Sequence, residues 1–223
     1  DMKPLDIDKL KSVLPLTPGI LHKEKYFKAA VLIPLVKSGD EYSLVFEKRA
    51  ANIRQGSEIC FPGGEYDTEK DINFKQTALR ETTEELGISP ESISIIGRLD
   101  TLIGPMGVLI EPYIGMLDVT DVSDFNIDIY EVEKAFHVPL SYFVDNDPEV
   151  YHLRMEMHPV IKEKDGTVVE IFPAKTLNLP ERYWMPWKAA DREVYVYRTD
   201  EGVIWGLTAE LLREFAILIR KAG

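Results

Sequence analysis

The sequence predicts an α/β protein of the α+β type, in which a mixed β-sheet packs between helices. Two observations lead to this prediction. Segments with a strand pattern outnumber amphipathic helices, and the central helix is followed by more strands than a simple βαβ alternation allows. With 223 residues, of which 45% are hydrophobic and 29% charged, the chain is long enough for one well-packed domain.

The first 24 residues are predicted to be an N-terminal extension. Apolar residues recur at helical spacing between Ile7 and Leu14, and Pro15 ends the pattern. We therefore expect one short amphipathic helix in residues 1–24, followed by a single domain formed by residues 25–223.

The strands of that domain are predicted from short apolar or alternating runs bounded by turn residues. In chain order they are Ala29–Val36, Tyr42–Glu47, Glu58–Phe61, Ser92–Arg98, Val108–Leu117, Ala135–Leu140, Val194–Tyr197 and Val203–Ile204. Residues 145–190 are rich in proline and are predicted to be an insertion, with a hairpin of Tyr151–Met157 and Thr167–Phe172 around Asp165-Gly166. A last amphipathic helix is predicted to be capped by Thr208.

The central helix carries the most informative residues. Asp71 is placed to cap its N-terminus, and Gly87 lies where a left-handed residue ends a helix. Glu81 and Glu85 are one turn apart on one face, and Glu84 flanks them. Such like-charge pairs destabilise a helix by about 0.2–0.5 kcal/mol each. A hard divalent cation such as Mg2+ relieves the repulsion and also binds substrate phosphates, so the helix predicts a metal-phosphate site.

This helix and the glycines before it resemble the Nudix box, G-x5-E-x7-R-E-U-x-E-E-x-G-U, where U is aliphatic. The run Arg80-Glu81-Thr82-Thr83-Glu84-Glu85-Leu86-Gly87-Ile88 matches the second half, except that Thr82 replaces an aliphatic residue. Gly64 and Arg80 are sixteen positions apart where the box allows fourteen. The glutamate of the first half is consequently replaced by Lys70 or Ile72, with Glu69 and Asp71 beside them.

The resemblance implies roles for the matching positions only. Glu81 and Glu85 are implied to be the principal ligands of Mg2+ or Mn2+, and Glu84 a further ligand or a general base acting through metal-bound water. Arg80 is implied to orient a glutamate, and the Gly63-Gly64 turn to let the backbone approach the metal. Outside the box, Glu131 lies in an acidic loop. It is a candidate for a further ligand or the general base, or else an ordinary loop residue.

A second resemblance lies upstream of the box. The segment from Val45 to Gly64 is similar to the signature of coenzyme A diphosphatases, L-[LV]-T-x-R-[SA]-x3-R-x3-G-x3-F-P-G-G. Arg49 and Arg54 match its arginines and Phe61 its phenylalanine, although the interval between Arg54 and Phe61 is one residue short and Glu47 replaces the threonine.

Because guanidinium groups bind phosphate oxygens bidentately, Arg49 and Arg54 are candidate clamps for the 3′-phosphate or the diphosphate of the substrate. The alternative is that both are solvated surface arginines. Phe61, Gly63 and Gly64 complete the predicted substrate-binding set.

The two resemblances together predict metal-dependent hydrolysis of coenzyme A or acyl-CoA to 3′,5′-ADP and (acyl-)4′-phosphopantetheine. Two alternatives remain open. One is a diphosphatase of another nucleoside diphosphate derivative, such as ADP-ribose, NADH or a dinucleoside polyphosphate. The other is a ligand-sensing Nudix domain without turnover.

Composition narrows the partners. The net charge of −12 and the lack of a basic stripe argue against nucleic acid. The longest apolar stretch, Ala29 to Val36, is too short to span a bilayer. The single cysteine, Cys60, excludes an intrachain disulfide and suits a reducing cytosol, so we expect a cytoplasmic location. The extension and the aromatic segment around Trp184 offer apolar surface for a possible homodimer.

Overall fold

A computed structural model describes residues 6–119 and 121–222 of the chain. Residues 1–5 of the predicted extension lie outside the described residues. The helices are α1 (Ile7–Val13), α2 (Phe74–Leu86), α3 (Leu140–Asp145) and α4 (Gly206–Ala222). Within the described ranges, we find no helix that combines the length and the apolar character needed to cross a membrane.

The strands of the main sheet are β1 (Phe27–Ser38), β2 (Glu41–Arg49), β3 (Ile59–Cys60), β4 (Gly63–Glu65), β5 (Ile93–Arg98), β6 (Leu102–Gly104), β7 (Val108–Leu117) and β8 (Val132–Pro139). They follow the order β3-β2-β1-β7-β5, and β4 pairs with β1, β6 with β7 and β8 with β2. β1 and β7 are parallel, whereas the other pairs are antiparallel. The predicted mixed sheet is confirmed.

The sheet lies between α2 and α4 because its central strands are apolar on both faces. In β1, Leu32 packs in one core cluster with Leu86 of α2, and the next residue, Ile33, packs in the other cluster with Leu212 of α4. All four side chains are fully buried. Burial of such a side chain contributes about 1.5–3 kcal/mol, so these two clusters hold both helices against the sheet.

The same alternation in β2 positions the candidate site. Val45 belongs to the cluster on the α2 face, and Phe46 stacks on Phe61 in the cluster on the α4 face, with a ring-centroid distance of 4.9 Å. Since successive side chains of a strand point to opposite faces, Glu47 faces α2. The sheet therefore directs an acidic side chain toward the acidic helix.

Several predicted boundaries were wrong. Strand β3 holds only Ile59–Cys60, and Gly63–Glu65, predicted to follow the strand end, forms β4 on β1. Glycine has low strand propensity, so only the partner strand reveals β4. Helix α4 begins at Gly206, which places Thr208 inside the helix and not at its cap.

The predicted insertion contains the expected hairpin but with a different first strand. The remaining strands are β9 (Glu149–Leu153), β10 (Glu156–Met157), β11 (Val160–Lys162), β12 (Val168–Glu170), β13 (Trp187–Lys188), β14 (Arg192–Thr199) and β15 (Gly202–Trp205). β11 and β12 pair around Asp165-Gly166, whereas Tyr151 lies in β9, which pairs with β14. Local pattern alone did not distinguish these partners.

Candidate active site

Helix α2 places the predicted glutamates within its last two turns. The helix begins after Asn73, whose side-chain oxygen accepts from the backbone N–H of Gln76 at 3.0 Å, so the predicted cap Asp71 was wrong. It ends as predicted at Gly87, which has a φ of 63° and donates its N–H to the carbonyl of Thr83.

Asp71 has a different role, which the sequence did not reveal. Its carboxylate is buried and accepts two hydrogen bonds from the guanidinium of Arg80, at 3.0 Å from Nε and 2.9 Å from Nη2. The Thr77 hydroxyl donates a third at 2.9 Å. The hydrogen bonds from Arg80, more than any other contact, lower the pKa of Asp71 to about 2. The signal for it in the sequence was its position, one residue before the place where the box, counted back from Arg80, has its glutamate.

The other side of Arg80 contacts the helix acids. Its Nη1 lies 2.8 Å from Oε1 of Glu81 and 3.1 Å from Oε2 of Glu84. Arg80 thus offsets the repulsion between carboxylates and holds Glu81 in place. Burial raises the pKa of Glu81, whereas the neighbouring arginine opposes that rise.

Gly63 and Gly64 of strand β4 lie against two of the helix acids. The N–H of Gly63 donates to Oε2 of Glu85 at 2.8 Å. A Cβ on Gly64 would come within 2.5 Å of the carboxyl carbon of Glu81, and Gly63 has a φ of 152°, which favours glycine. Gly64 therefore allows strand β4 to approach the helix this closely, and Gly63 allows the same strand to lie against Ala30 and Val31 of β1.

Glu85 is buried, with an exposed fraction of only 2%. Its Oε1 lies 3.8 Å from Nη1 of Arg49, a predicted site residue on β2. Burial is the main cause that raises the pKa of Glu85 well above its ordinary value, and the charge of Glu47 raises it further.

Glu47 is the second site residue that the sequence analysis missed. It is fully buried, and its Oε1 accepts from the Cys60 thiol at 3.4 Å and lies 3.5 Å from Nη1 of Arg49. Its Oε2 has no hydrogen-bond partner among the described residues. Burial raises the pKa of Glu47 to about 7. The available signal was the replacement of the signature threonine by an acid.

The remaining predicted residues lie at different distances from these acids. Glu131, in the loop before β8, is close enough for its charge to raise the pKa of both Glu47 and Glu81. Arg54 is exposed, and its guanidinium lies over the ring of Phe27 at 5.3 Å. The ring of Phe61 lies in the core on the α4 face. The catalytic and substrate-binding roles of these residues stay predictions.

We call Glu47, Glu81, Glu84 and Glu85 the acid cluster. As placed, no three His, Cys, Asp or Glu side chains in residues 6–119 and 121–222 converge closely enough to hold a metal ion. The donor chemistry nevertheless fits a hard divalent cation, because the cluster offers only carboxylate oxygens and one of them is buried without a partner. Glu81, Glu84 and Glu85 are the residues that would hold it.

Two open clefts are found that the acid cluster does not line. One, of about 470 Å3, is lined by residues that include His137 and Arg198, and the other, of about 560 Å3, by residues that include Lys48 and Trp205. No acid of the cluster lines either cleft. Because the buried carboxylates, their arginine partners and the two glycines of β4 line neither cleft, we assign the candidate site to the acid cluster.

Comparison with known proteins gives three kinds of match. The family model described as NUDIX domain matches residues 26–193. The peroxisomal coenzyme A diphosphatase NUDT7 of Mus musculus is 36% identical over 126 residues, which are 56% of this chain and 51% of that protein. The uncharacterized Nudix hydrolase NudL of Enterobacter sp. (strain 638) is 30% identical over 193 residues, 86% of this chain and 82% of that protein.

Among solved structures, a binary complex of the Ap4A hydrolase of C. elegans is 22% identical, with a TM-score of 0.43, and the match covers 52% of this chain and 83% of that one. The chain spans about half of the length of the mouse relative (51%) and most of the bacterial one (82%).

Proposed function

Since the chain belongs to the Nudix hydrolase family, we propose that it hydrolyses the diphosphate bond of coenzyme A or acyl-CoA, with Mg2+ or Mn2+ as cofactor. The products would be 3′,5′-ADP and (acyl-)4′-phosphopantetheine. One observation carries the proposal: the hydrogen bond from Gly63 to Glu85 joins the end of the coenzyme A diphosphatase signature to the acidic helix. The mouse relative, named as a coenzyme A diphosphatase, supports the same substrate.

The acid cluster suggests how the work is divided among the residues. Glu81, Glu84 and Glu85 would hold the ion, which supplies positive charge for the diphosphate and activates water for attack at phosphorus. Arg80, fixed by Asp71, restrains Glu81 and Glu84.

Proton transfer needs an acid that can exchange with solvent. The side chain of Glu84 is 58% exposed, and Glu131 is also exposed. Both are therefore candidates for the base that accepts the proton from the attacking water. Glu47 and Glu85 are buried, so neither is a candidate for this step.

The two predicted phosphate clamps differ in availability. The side chain of Arg49 is only 21% exposed and lies between Glu47 and Glu85, whereas Arg54 is exposed. Arg54 is therefore the better candidate for binding the 3′-phosphate, because its guanidinium is not engaged with an acid in the described structure.

A substrate panel tests the proposal. Coenzyme A, acetyl-CoA, 3′-dephospho-coenzyme A, ADP-ribose, NADH and diadenosine tetraphosphate would be incubated with the protein and Mg2+ or Mn2+, with products identified by mass. We expect cleavage of coenzyme A or its thioester. The variant Glu85→Gln should lose at least about 100-fold in turnover, whereas Glu214→Gln, the same change on the exposed face of α4, should not. A folded Glu85→Gln variant with undiminished turnover would refute the assignment.

The engagement of Arg49 with two acids favours a second candidate, a substrate that lacks the 3′-phosphate. ADP-ribose, NADH and dinucleoside polyphosphates belong to this class. Equal rates on coenzyme A and 3′-dephospho-coenzyme A would support this candidate, and tight nucleotide binding without any product would support a sensing role instead.

The predicted homodimer has some support in exposed apolar surface. On α1, Ile7 is 53% exposed and Val13 is 71% exposed, and Met185 near Trp184 is 70% exposed. These side chains would be covered if two copies paired. A sedimentation coefficient of a monomer at micromolar concentration would contradict the predicted homodimer.

A further inference from the structure

A buried carboxylate oxygen without a partner is unfavourable in a folded protein, since burial of an ionised group needs a hydrogen bond or a counter-charge. In the described part of the chain, Glu47 Oε2 is such an atom, and the residue is fully buried. The other oxygen of the same carboxylate is occupied by the Cys60 thiol and by Arg49. One oxygen of this buried carboxylate, which also lies near the carboxyl group of Glu85, is thus left without a hydrogen-bond partner among the described residues.

The charged residues around this oxygen indicate which kind of group would stabilise it. Nη1 of Arg49 lies 3.5 Å from Oε1 of Glu47 and 3.8 Å from Oε1 of Glu85, so both carboxylates converge on one guanidinium nitrogen. When ionised, they place two negative charges against the single charge of Arg49. Glu131 adds further negative potential at Glu47. The site is therefore short of positive charge.

We infer that Glu47, on strand β2 and outside the acidic helix, is a further ligand for the divalent cation, which it shares with Glu85. Hard cations such as Mg2+ and Mn2+ bind carboxylate oxygens, and one ion would satisfy the unpartnered oxygen and supply the missing charge together. The inference rests on the proposed function, because it assumes that the acid cluster is a metal site.

The signature provides a natural comparison at this position. It has threonine where this chain has Glu47, and a threonine side chain carries no charge and is shorter. We therefore expect this chain to hold its ion more tightly than the variant Glu47→Thr, which restores the signature residue.

The experiment measures Mn2+ binding in the full chain without substrate. Free Mn2+ is followed by electron paramagnetic resonance during titration of the wild type, Glu47→Gln, Glu47→Thr and the control Glu133→Gln. Glu133 is an exposed acid that pairs with Lys48 at 2.7 Å. Even residues behind the direct ligands typically change metal affinity by about 10–100-fold, so we expect both Glu47 variants to bind at least about tenfold more weakly. The control should bind as the wild type does.

Crystals of the wild type soaked in Mn2+ provide a second measurement that does not depend on a variant folding. Anomalous density within about 2.2 Å of Glu47 Oε2 supports the inference. Density bound to the helix acids but more than about 4 Å from Glu47, or Glu47 variants that bind Mn2+ as tightly as the wild type, overturns it. Failure of the proposed function is distinguishable, because it appears as absent turnover by a wild type that binds Mn2+.

Discussion

Asp71 binds Arg80 through two parallel hydrogen bonds, from Nε to Oδ1 at 3.0 Å and from Nη2 to Oδ2 at 2.9 Å. The side chain of Asp71 is fully buried, and that of Arg80 is 18% exposed. The same guanidinium contacts Glu81 and Glu84 through Nη1. The loop before the helix therefore controls the position of two helix acids through a single arginine.

We expect Asp71→Asn to lower the free energy of unfolding at pH 7. The pKa of Asp71 is about 2 in the folded protein against an ordinary 3.8, which corresponds to about 2 kcal/mol. Because the folded pKa is depressed, this stabilisation is present above about pH 4 and is lost as the pH falls toward 2. Urea unfolding between pH 3 and 7 should therefore show the difference from wild type shrinking in acid. Glu69→Gln, an exposed acid of the same loop, should change little. Equal stability of both variants would argue against the Asp71 pair.

Gly64→Ala is expected to impair turnover more than folding. The new Cβ would meet the carboxyl group of Glu81 at about 2.5 Å, so either that side chain or strand β4 must move. A displacement of about 1 Å near reacting groups typically reduces turnover about 100-fold. Steady-state rates on the best substrate would measure this. Gly97→Ala, where a Cβ meets nothing within 4 Å, provides the control. Full activity of Gly64→Ala would show that Glu81 tolerates displacement.

The stability of the metal-free protein should fall as the pH rises from about 4.5 to about 7. Burial raises the pKa of Glu47 from 4.5 to about 7, so above that window the folded state carries a buried charge that the unfolded state solvates. The effect is on the order of 3 kcal/mol. In urea unfolding with EDTA, the free energy of unfolding of Glu47→Gln should equal that of the wild type below pH 4.5 and exceed it near pH 8. A wild-type profile without this decline would contradict the prediction.

Ser57→Gly should stabilise the protein slightly. Ser57 has a φ of 67°, a left-handed conformation that usually costs about 1–2 kcal/mol for a residue with a side chain. Glycine removes that strain but gains freedom in the unfolded chain, so we expect a net gain of at most about 1 kcal/mol. Ser94→Gly, in strand β5, should instead lose about 0.5–1 kcal/mol. Thermal and urea unfolding of both variants would show whether Ser57→Gly gains stability and Ser94→Gly loses it.

Features that depend on residues close together in the sequence were predicted correctly, whereas features that depend on contacts with distant strands were missed. Gly87 ends the helix as expected, because a left-handed C-terminal residue is a local requirement. The buried state of Glu85 was missed, because it arises from β2 and β4, which no helix pattern describes. Glu47 was the last residue of the predicted strand Tyr42–Glu47, a place where a charged side chain is usually exposed, so its burial was not predicted.

The role of Asp71 was mispredicted for the same reason. An acidic residue just before a helix is a typical N-cap, and the sequence therefore predicted a cap. Only the fold of the loop between β4 and α2 brings the carboxylate of Asp71 to Arg80. The first strand of the predicted hairpin was wrong for a similar reason, because Tyr151 lies in β9, which pairs with β14, about forty residues further along the chain.

The pairing of β9 with β14 also bears on how this scaffold changes. Leu153 and Arg192 are register partners, so the chain departs from this small sheet and rejoins it at one place. Residues 154–191 therefore leave the sheet and return to it at neighbouring positions, and a short turn in their place would join the same two strands. Such an excursion can be lengthened, shortened or exchanged over generations while the carboxylates on β2 and α2 keep their positions.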